Sequence, residues 1–243
     1  MIHSYATQWH LPASGIHPSG TLSGMGTPPP PHDAADRLPL RERKKLRTRE
    51  ALVVTALERF TERGFHGVTL DELCDAVDTS KRTFFRHFTS KEDVAMAPLQ
   101  DLWRAFLADL ETREPTRGPL MELLQDALLG ALDGTPATDW PHRVRLSRRL
   151  AAENPSMDAH GLRFCQDTSR AAVHVLHRRF GLDAADDLRP RLAVDLLVAA
   201  FHYALDSWTS LPGTPTRADL ATRLRASCAA LPEALTLTTA PAP

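Results

Sequence analysis

The chain has 243 residues, 42% of them hydrophobic, enough to bury a sizeable core beside a smaller one. Its formal charge of -1 gives no basic balance over the whole chain, and three scattered cysteines, Cys74, Cys165 and Cys228, exclude a disulfide framework and a cysteine zinc site. No apolar run nears the roughly eighteen residues of a membrane span and no signal peptide opens the chain, so a reduced, cytoplasmic protein without a membrane partner is expected.

Residues 1–36 hold Pro28–Pro31 and many Ser, Gly and His without periodicity, and read as a disordered tail in which Met25 is an alternative start. The near-neutral average hides a split. Residues 37–91 carry thirteen Lys/Arg against eight Asp/Glu, a balance of +5, whereas the remainder holds sixteen against twenty-two, a balance of -6. Positive charge therefore collects where a polyanion would be met. The run Arg41, Arg43, Lys44, Lys45, Arg47 and Arg49 suits either a solvated arm or one that contacts phosphate. It leads into a first helix over Arg49–Gly64, in which Val53, Ala56, Leu57 and Phe60 recur at helical spacing before a terminal glycine.

The stretch Thr69–Lys91, TLDELCDAVDTSKRTFFRHFTSK, reads as two short helices, a tight turn and the start of a third helix. Thr69 with Glu72 and Ser90 with Asp93 have the spacing of capping boxes, which satisfy the free N–H groups of a helix start. Leu73, Ala76 and Val77 give the first short helix an apolar face, as Phe84, Phe85 and Phe88 do the second. Asp78 falls at the turn, which its carboxylate can brace. The second helix carries Lys81, Arg82, Thr83, Arg86 and His87, cations and a hydroxyl opposite an aromatic face. Alone, that pattern also fits a solvated surface helix; in this setting it fits a helix that reads the major groove.

Together these segments, R-x-x-L-V-x-x-A-L-x-x-F-x-x-x-G-F, V-T-L-x-x-L and T-F-F-R-H-F-x-S-K-E-D, resemble the N-terminal domain of the TetR family of transcriptional repressors. The match spans about a fifth of the chain. Asp78 stands where that family commonly has Gly, and Arg59 where it commonly has an apolar residue. The expected DNA contacts are base reading by Lys81, Arg82 and Thr83 with Phe85, Arg86 and His87, and phosphate contact by Arg49, Thr69 and Lys91.

Beyond Lys91 the chain reads as helices punctuated by Pro and Gly: Lys91–Thr112, Pro119–Leu132, Pro141–Glu153, Pro155–Phe180, Asp187–Leu211 and Arg217–Leu231. Gly181 and Gly213 read as stops, and Thr216 with Asp219 as a further capping box. The fold class is thus all-α: a three-helix helix-turn-helix domain over 37–91, a larger helical ligand-binding and dimerisation domain over 92–235, and a frayed tail over 236–243.

The larger domain holds no nucleophile elbow, phosphate loop or zinc-protease motif, so neither catalysis, a cofactor nor a metal is expected; His174 and His177 lack further ligands at suitable spacing. In Arg191–Trp208, Leu192, Leu196, Leu197, Ala199, Ala200, Tyr203 and Ala204 form a broad apolar face. Arg191, Asp195, His202 and Asp206 form a narrow polar stripe, either the water side of the helix or the edge of a pocket or interface. The resemblance implies that the last two long helices dimerise, with Leu220, Leu224, Cys228 and Leu231 on the buried face. It also implies a cavity for a small, largely apolar effector, here lined by Trp103, Phe106, Leu107, Leu128, Leu146, Phe164 and His202, residues that equally suit a plain core. RLSRRLAAENP, Arg145–Pro155, is similar to the C-terminal domain of an actinobacterial subgroup that includes the mycofactocin-associated regulator.

The expected function is that of a ligand-responsive repressor which binds a palindromic operator in double-stranded DNA as a homodimer. The alternative is a helical interaction protein whose basic helix is only a solvated face; an enzyme is a distant third.

Overall fold

In a computed structural model the described residues are 39–115, 117–135, 139–182 and 186–239. The expected tail over 1–36, with Met25 and Pro28–Pro31, lies outside them, as do residues 240–243 of the expected C-terminal tail. Every regular element among the described residues is a helix.

Helix α1 spans Leu40–Arg63, so the basic run from Arg41 is its opening turns and not an irregular arm. Burial along it starts at Leu52 and follows the expected register through Val53, Ala56, Leu57 and Phe60. Gly64 ends the helix at φ 77°, which a glycine adopts without a Cβ clash. Helix α2 is Leu70–Ala76 and α3 is Lys81–Phe84, continued by turns whose N–H groups return to Lys81, Thr83 and Phe84 carbonyls. Asp78 has φ 50° between them, so an aspartate takes the left-handed turn position at which the resemblance leads one to expect glycine.

The larger helical part follows as α4 (Lys91–Thr112), α5 (Leu120–Asp133), α6 (Trp140–Glu153), α7 (Pro155–Phe180), α8 (Arg189–Thr209), α9 (Arg217–Ala229) and a short α10 (Leu231–Leu235). Gly181 caps α7 in the left-handed conformation, as expected of a stop. Gly213, at φ 78°, lies in the α8–α9 connection beyond the helix end.

Helix α4 is central, packing on α5, α6 and α7, while α8 packs on α5, α7 and α9. Its first turns complete the N-terminal core: Val94, Ala95 and Ala97 cluster with Phe60, Leu73, Phe84 and Phe88, and Leu150 and Met157 close that cluster from α6 and α7. Farther along, Leu102, Trp103, Phe106 and Leu110 belong to the core of the bundle. One helix thus joins both cores. Pro98 interrupts its backbone ladder between them, and the Pro98 carbonyl also accepts a buried hydrogen bond from Trp140 Nε1 at 2.9 Å.

Candidate DNA-reading surface and ligand pocket

The reading segment is fixed by short-range hydrogen bonds. Thr69 and Glu72 form the expected capping box, and Thr69 N–H, Arg63 and the Thr69 hydroxyl together hold the Glu72 carboxyl down at about 2. Ser80 caps α3, its hydroxyl accepting from Thr83 N–H at 3.2 Å. Ser90 caps α4, but Asp93 does not complete the expected box. Its carboxylate accepts from the N–H and hydroxyl of Thr89 instead, and so ties down the end of the reading segment.

The nine residues expected at DNA then fall into two sets. Arg82 and Arg86 are exposed and make no ion pair among the described residues, and Phe85 between them is 56% exposed. Lys81 is exposed and pairs with Asp71 at 2.8 Å, a weak surface bridge. Thr83 and His87 are half-buried; burial, then Arg49 and Arg86, keep the His87 imidazole below its usual range. Thr69 is exposed, its hydroxyl turned to Glu72.

Arg49 and Lys91 depart from expectation. Lys91 Nζ donates to the carbonyls of Phe65 at 2.9 Å and Val68 at 2.6 Å, and sits over the rings of Phe60 and Phe65. Its ammonium is committed to closing the loop after α1, and burial pulls its pKa down. Arg49 is bidentate to Asp101 at 2.6 and 2.7 Å and lies 4.8 Å from the Phe88 ring centroid. Phosphate contact by either would compete with these bonds.

A pocket of about 130 Å³ opens among α4, α6, α7 and α8. Of the residues expected there, Trp103, Phe164 and His202 line it. The other four do not. Phe106 and Leu128 are fully buried in the bundle core, Leu107 packs on that core, and Leu146 packs on the N-terminal cluster. All four satisfy the helical period but face neighbouring helices. Gln100 and Phe201 are lining residues that the sequence reading passed over. Gln100 had a signal: a polar side chain in register with Ala97 and Trp103 on a buried stripe.

The polar stripe of α8 divides. Arg191 pairs with Asp195 at 2.8 Å and Asp206 with Arg148 of α6 at 2.5 Å, while His202 lies at the pocket edge. Burial and then Arg148 lower the His202 pKa, with Asp206 opposing. The residues expected at the dimer interface require correction. Leu220, Leu224 and Cys228 are buried in the protomer's own core against α8, because α9 turns its apolar face inward, and Leu231 is half-buried against the same core. On the α8–α9 pair, apolar side chains remain outside on α8, where Leu192 is 55% and Tyr203 72% exposed.

A continuous set of bonds joins the pocket to the reading segment. Gln100 Oε1 accepts from Arg104 Nη2 at 2.9 Å; Arg104 Nη1 donates to Asp101 at 2.8 Å; and Asp101 holds Arg49 against Phe88. Arg104 also lies 3.7 Å from the Asp93 carboxylate. Among the described residues no cluster of three or more His, Cys, Asp or Glu could hold a metal, and no helix is long and apolar enough to cross a membrane.

Two short helices joined at a left-handed Asp78, with exposed cations on the second, define a helix-turn-helix DNA-binding regulator. Residues 52–97 match the family described as bacterial regulatory proteins, tetR family, and residues 118–235 match the MftR C-terminal domain. The chain is 34% identical over 179 residues to the HTH-type transcriptional regulator TcmR of Streptomyces glaucescens, covering 70% of this chain and 76% of that protein. It is 38% identical over 65 residues to the HTH-type transcriptional activator FasR of Mycolicibacterium smegmatis, 27% of each chain. A transcriptional regulator from Aquifex aeolicus VF5 superposes with a TM-score of 0.48 at 16% identity, over 76% of this chain and 99% of that one. The protein belongs to the TetR family of transcriptional regulators.

Proposed function

We propose that the chain is a ligand-responsive repressor that binds a palindromic operator as a homodimer, with 37–91 as the DNA-binding domain and 92–235 as the effector and dimerisation domain. One observation carries the assignment of contacts: Arg82, Phe85 and Arg86 face outward without ion pairs, whereas Arg49 and Lys91 hold the segment in place. Arg82, in the first turn of the reading helix, is suited to a bidentate guanine contact, with Thr83 beside it for a thymine methyl. Lys81 and Arg86 add phosphate attraction.

Dimerisation is assigned to the stripe of Leu192, Ala199 and Tyr203 on α8, spaced seven and four residues apart along one helix face and exposed outside the protomer core. Effector binding in the pocket reaches the DNA through Gln100, Arg104, Asp101 and Arg49, and favours a dimer in which the two reading helices no longer match successive major grooves.

Binding-site selection followed by footprinting tests this. The expected result is an inverted repeat with half-site centres about 34–36 Å apart and an affinity that falls steeply with salt. Absence of any saturable footprint would return the chain to the reading of a helical interaction protein.

A further inference from the structure

Gln100 is 2% exposed and faces the pocket. A guanidinium only donates, so the bond from Arg104 Nη2 fixes Oε1 as the atom on that side and leaves the amide Nε2 as the other. Nε2 is buried and has no hydrogen-bond partner. An unpaired buried donor is unfavourable, and it is relieved by any acceptor placed against it.

The surroundings of this donor restrict what can bring that acceptor. Trp103, Phe164 and Phe201 provide aromatic wall, with Trp103 and Phe201 edge to face at 5.1 Å. Ser147 and Thr168, the other buried polar residues of the lining, carry no charge. The charged residues at the pocket, Arg148 and Asp158, are exposed, and Arg148 is already paired with Asp206. The guanidinium bonded to Gln100, that of Arg104, is already paired with Asp101 and lies 3.7 Å from Asp93, so an ionised group at Gln100 would be buried without a free counter-charge. A volume of about 130 Å³ suits a molecule built on a single ring, since cavities of about 150 Å³ hold benzene.

We infer that the effector is an uncharged, ring-containing molecule carrying an acceptor oxygen of carbonyl type, and that this oxygen docks on Nε2 of Gln100. The inference rests on the ligand-responsive reading above and adds the chemical class. It also places recognition on the residue whose other end holds Arg104, so the group that senses the ligand is the first member of the bonded series leading to Arg49.

Acetophenone and α-methylstyrene, which differ in a carbonyl oxygen against a methylene, serve as probes, with benzoate as the charged control. Calorimetric titration of the full-length protein is expected to give about tenfold or greater preference for acetophenone over α-methylstyrene, and weaker binding of benzoate. Gln100→Met removes the donor; Gln100→Glu removes it while keeping an oxygen for Arg104, and serves if the first variant does not fold. Either variant is expected to bind the two neutral probes within about twofold of each other. Equal binding by the wild type, no binding of either neutral probe, a preference that survives in a folded variant, or tighter binding of benzoate overturns the inference. Footprints on the same samples keep the two readings apart: an intact acetophenone preference in a protein that protects no DNA overturns the regulator, and the reverse overturns the ligand class.

Discussion

The reading segment and the effector pocket satisfy their polar groups in opposite ways. In the segment the capping partners are three or four residues apart: Thr69 with Glu72, Ser80 with Thr83, Thr89 with Asp93. Around the pocket the partners lie tens of residues apart: Pro98 with Trp140, Arg148 with Asp206. The first region takes its shape from local hydrogen bonds, with Lys91 and Arg49 as its long-range polar ties. The second exists only where four helices meet.

Charge substitutions on the two faces of the α8–α9 pair test this contrast most strongly. Leu224 is fully buried in the protomer, so Leu224→Glu is expected to cost about 3–5 kcal/mol of folding stability by burying an unpaired carboxylate, read as a large loss in denaturant midpoint. Tyr203→Glu, on the exposed face, is expected to keep full helix content while light scattering shows a monomer. A folded, monomeric Leu224→Glu protein would put α9 at the interface after all.

The next effect is smaller and depends on pH. Burial alone would raise the Asp93 pKa, but His160, Thr89 N–H and Arg104 outweigh it and bring the group to about 2 from an ordinary value near 3.8. A depressed carboxylate pKa means that the folded state prefers the ionised form. Its contribution, about 2 kcal/mol, is present above pH ~4 and is lost as pH falls toward 2. Asp93→Asn is expected to flatten stability across that window and to lower it at neutral pH. An unchanged acid limb in urea titrations would show that the tie between Asp93 and Thr89 contributes nothing.

Lys91→Met should cost about 1–2 kcal/mol of stability, because the Phe65 and Val68 carbonyls lose their donor. The salt slope of DNA binding should change by less than one phosphate contact. A stable Lys91→Met protein with a shallower slope would restore Lys91 to the phosphate role suggested by its place at a helix start.

How much could be read in the sequence follows the same division. Caps announce themselves at fixed spacings, so the Thr69–Glu72 box, the turn at Asp78 and the boundaries of α4 and α7 were legible residue by residue. Lys91 reads as a phosphate contact because a cation near a helix start looks the same whether it faces solvent or a carbonyl 23 residues away, and Arg49 because nothing in its spacing points to the Asp101 carboxylate 52 residues on. In the bundle, helical period placed Trp103 and Phe164 on a buried face, but it placed Phe106, Leu128 and Leu224 there too. Period tells in from out, whereas telling cavity wall from core requires knowing which helix lies opposite. Tyr203 taught the converse: grouped with Ala200 and Ala204 on one apolar face, it emerged on the outside.

The central claim is that base reading rests on the exposed Arg82 and not on the tethered Arg49 and Lys91, and binding-site selection on parallel variants tests it most directly. Arg82→Ala is expected to keep wild-type stability, lose about 1–3 kcal/mol of operator affinity and relax preference at one position per half-site. Lys91→Met is expected to return the wild-type sequence logo. The contradictory result is an unchanged logo for Arg82→Ala together with a position lost in Lys91→Met.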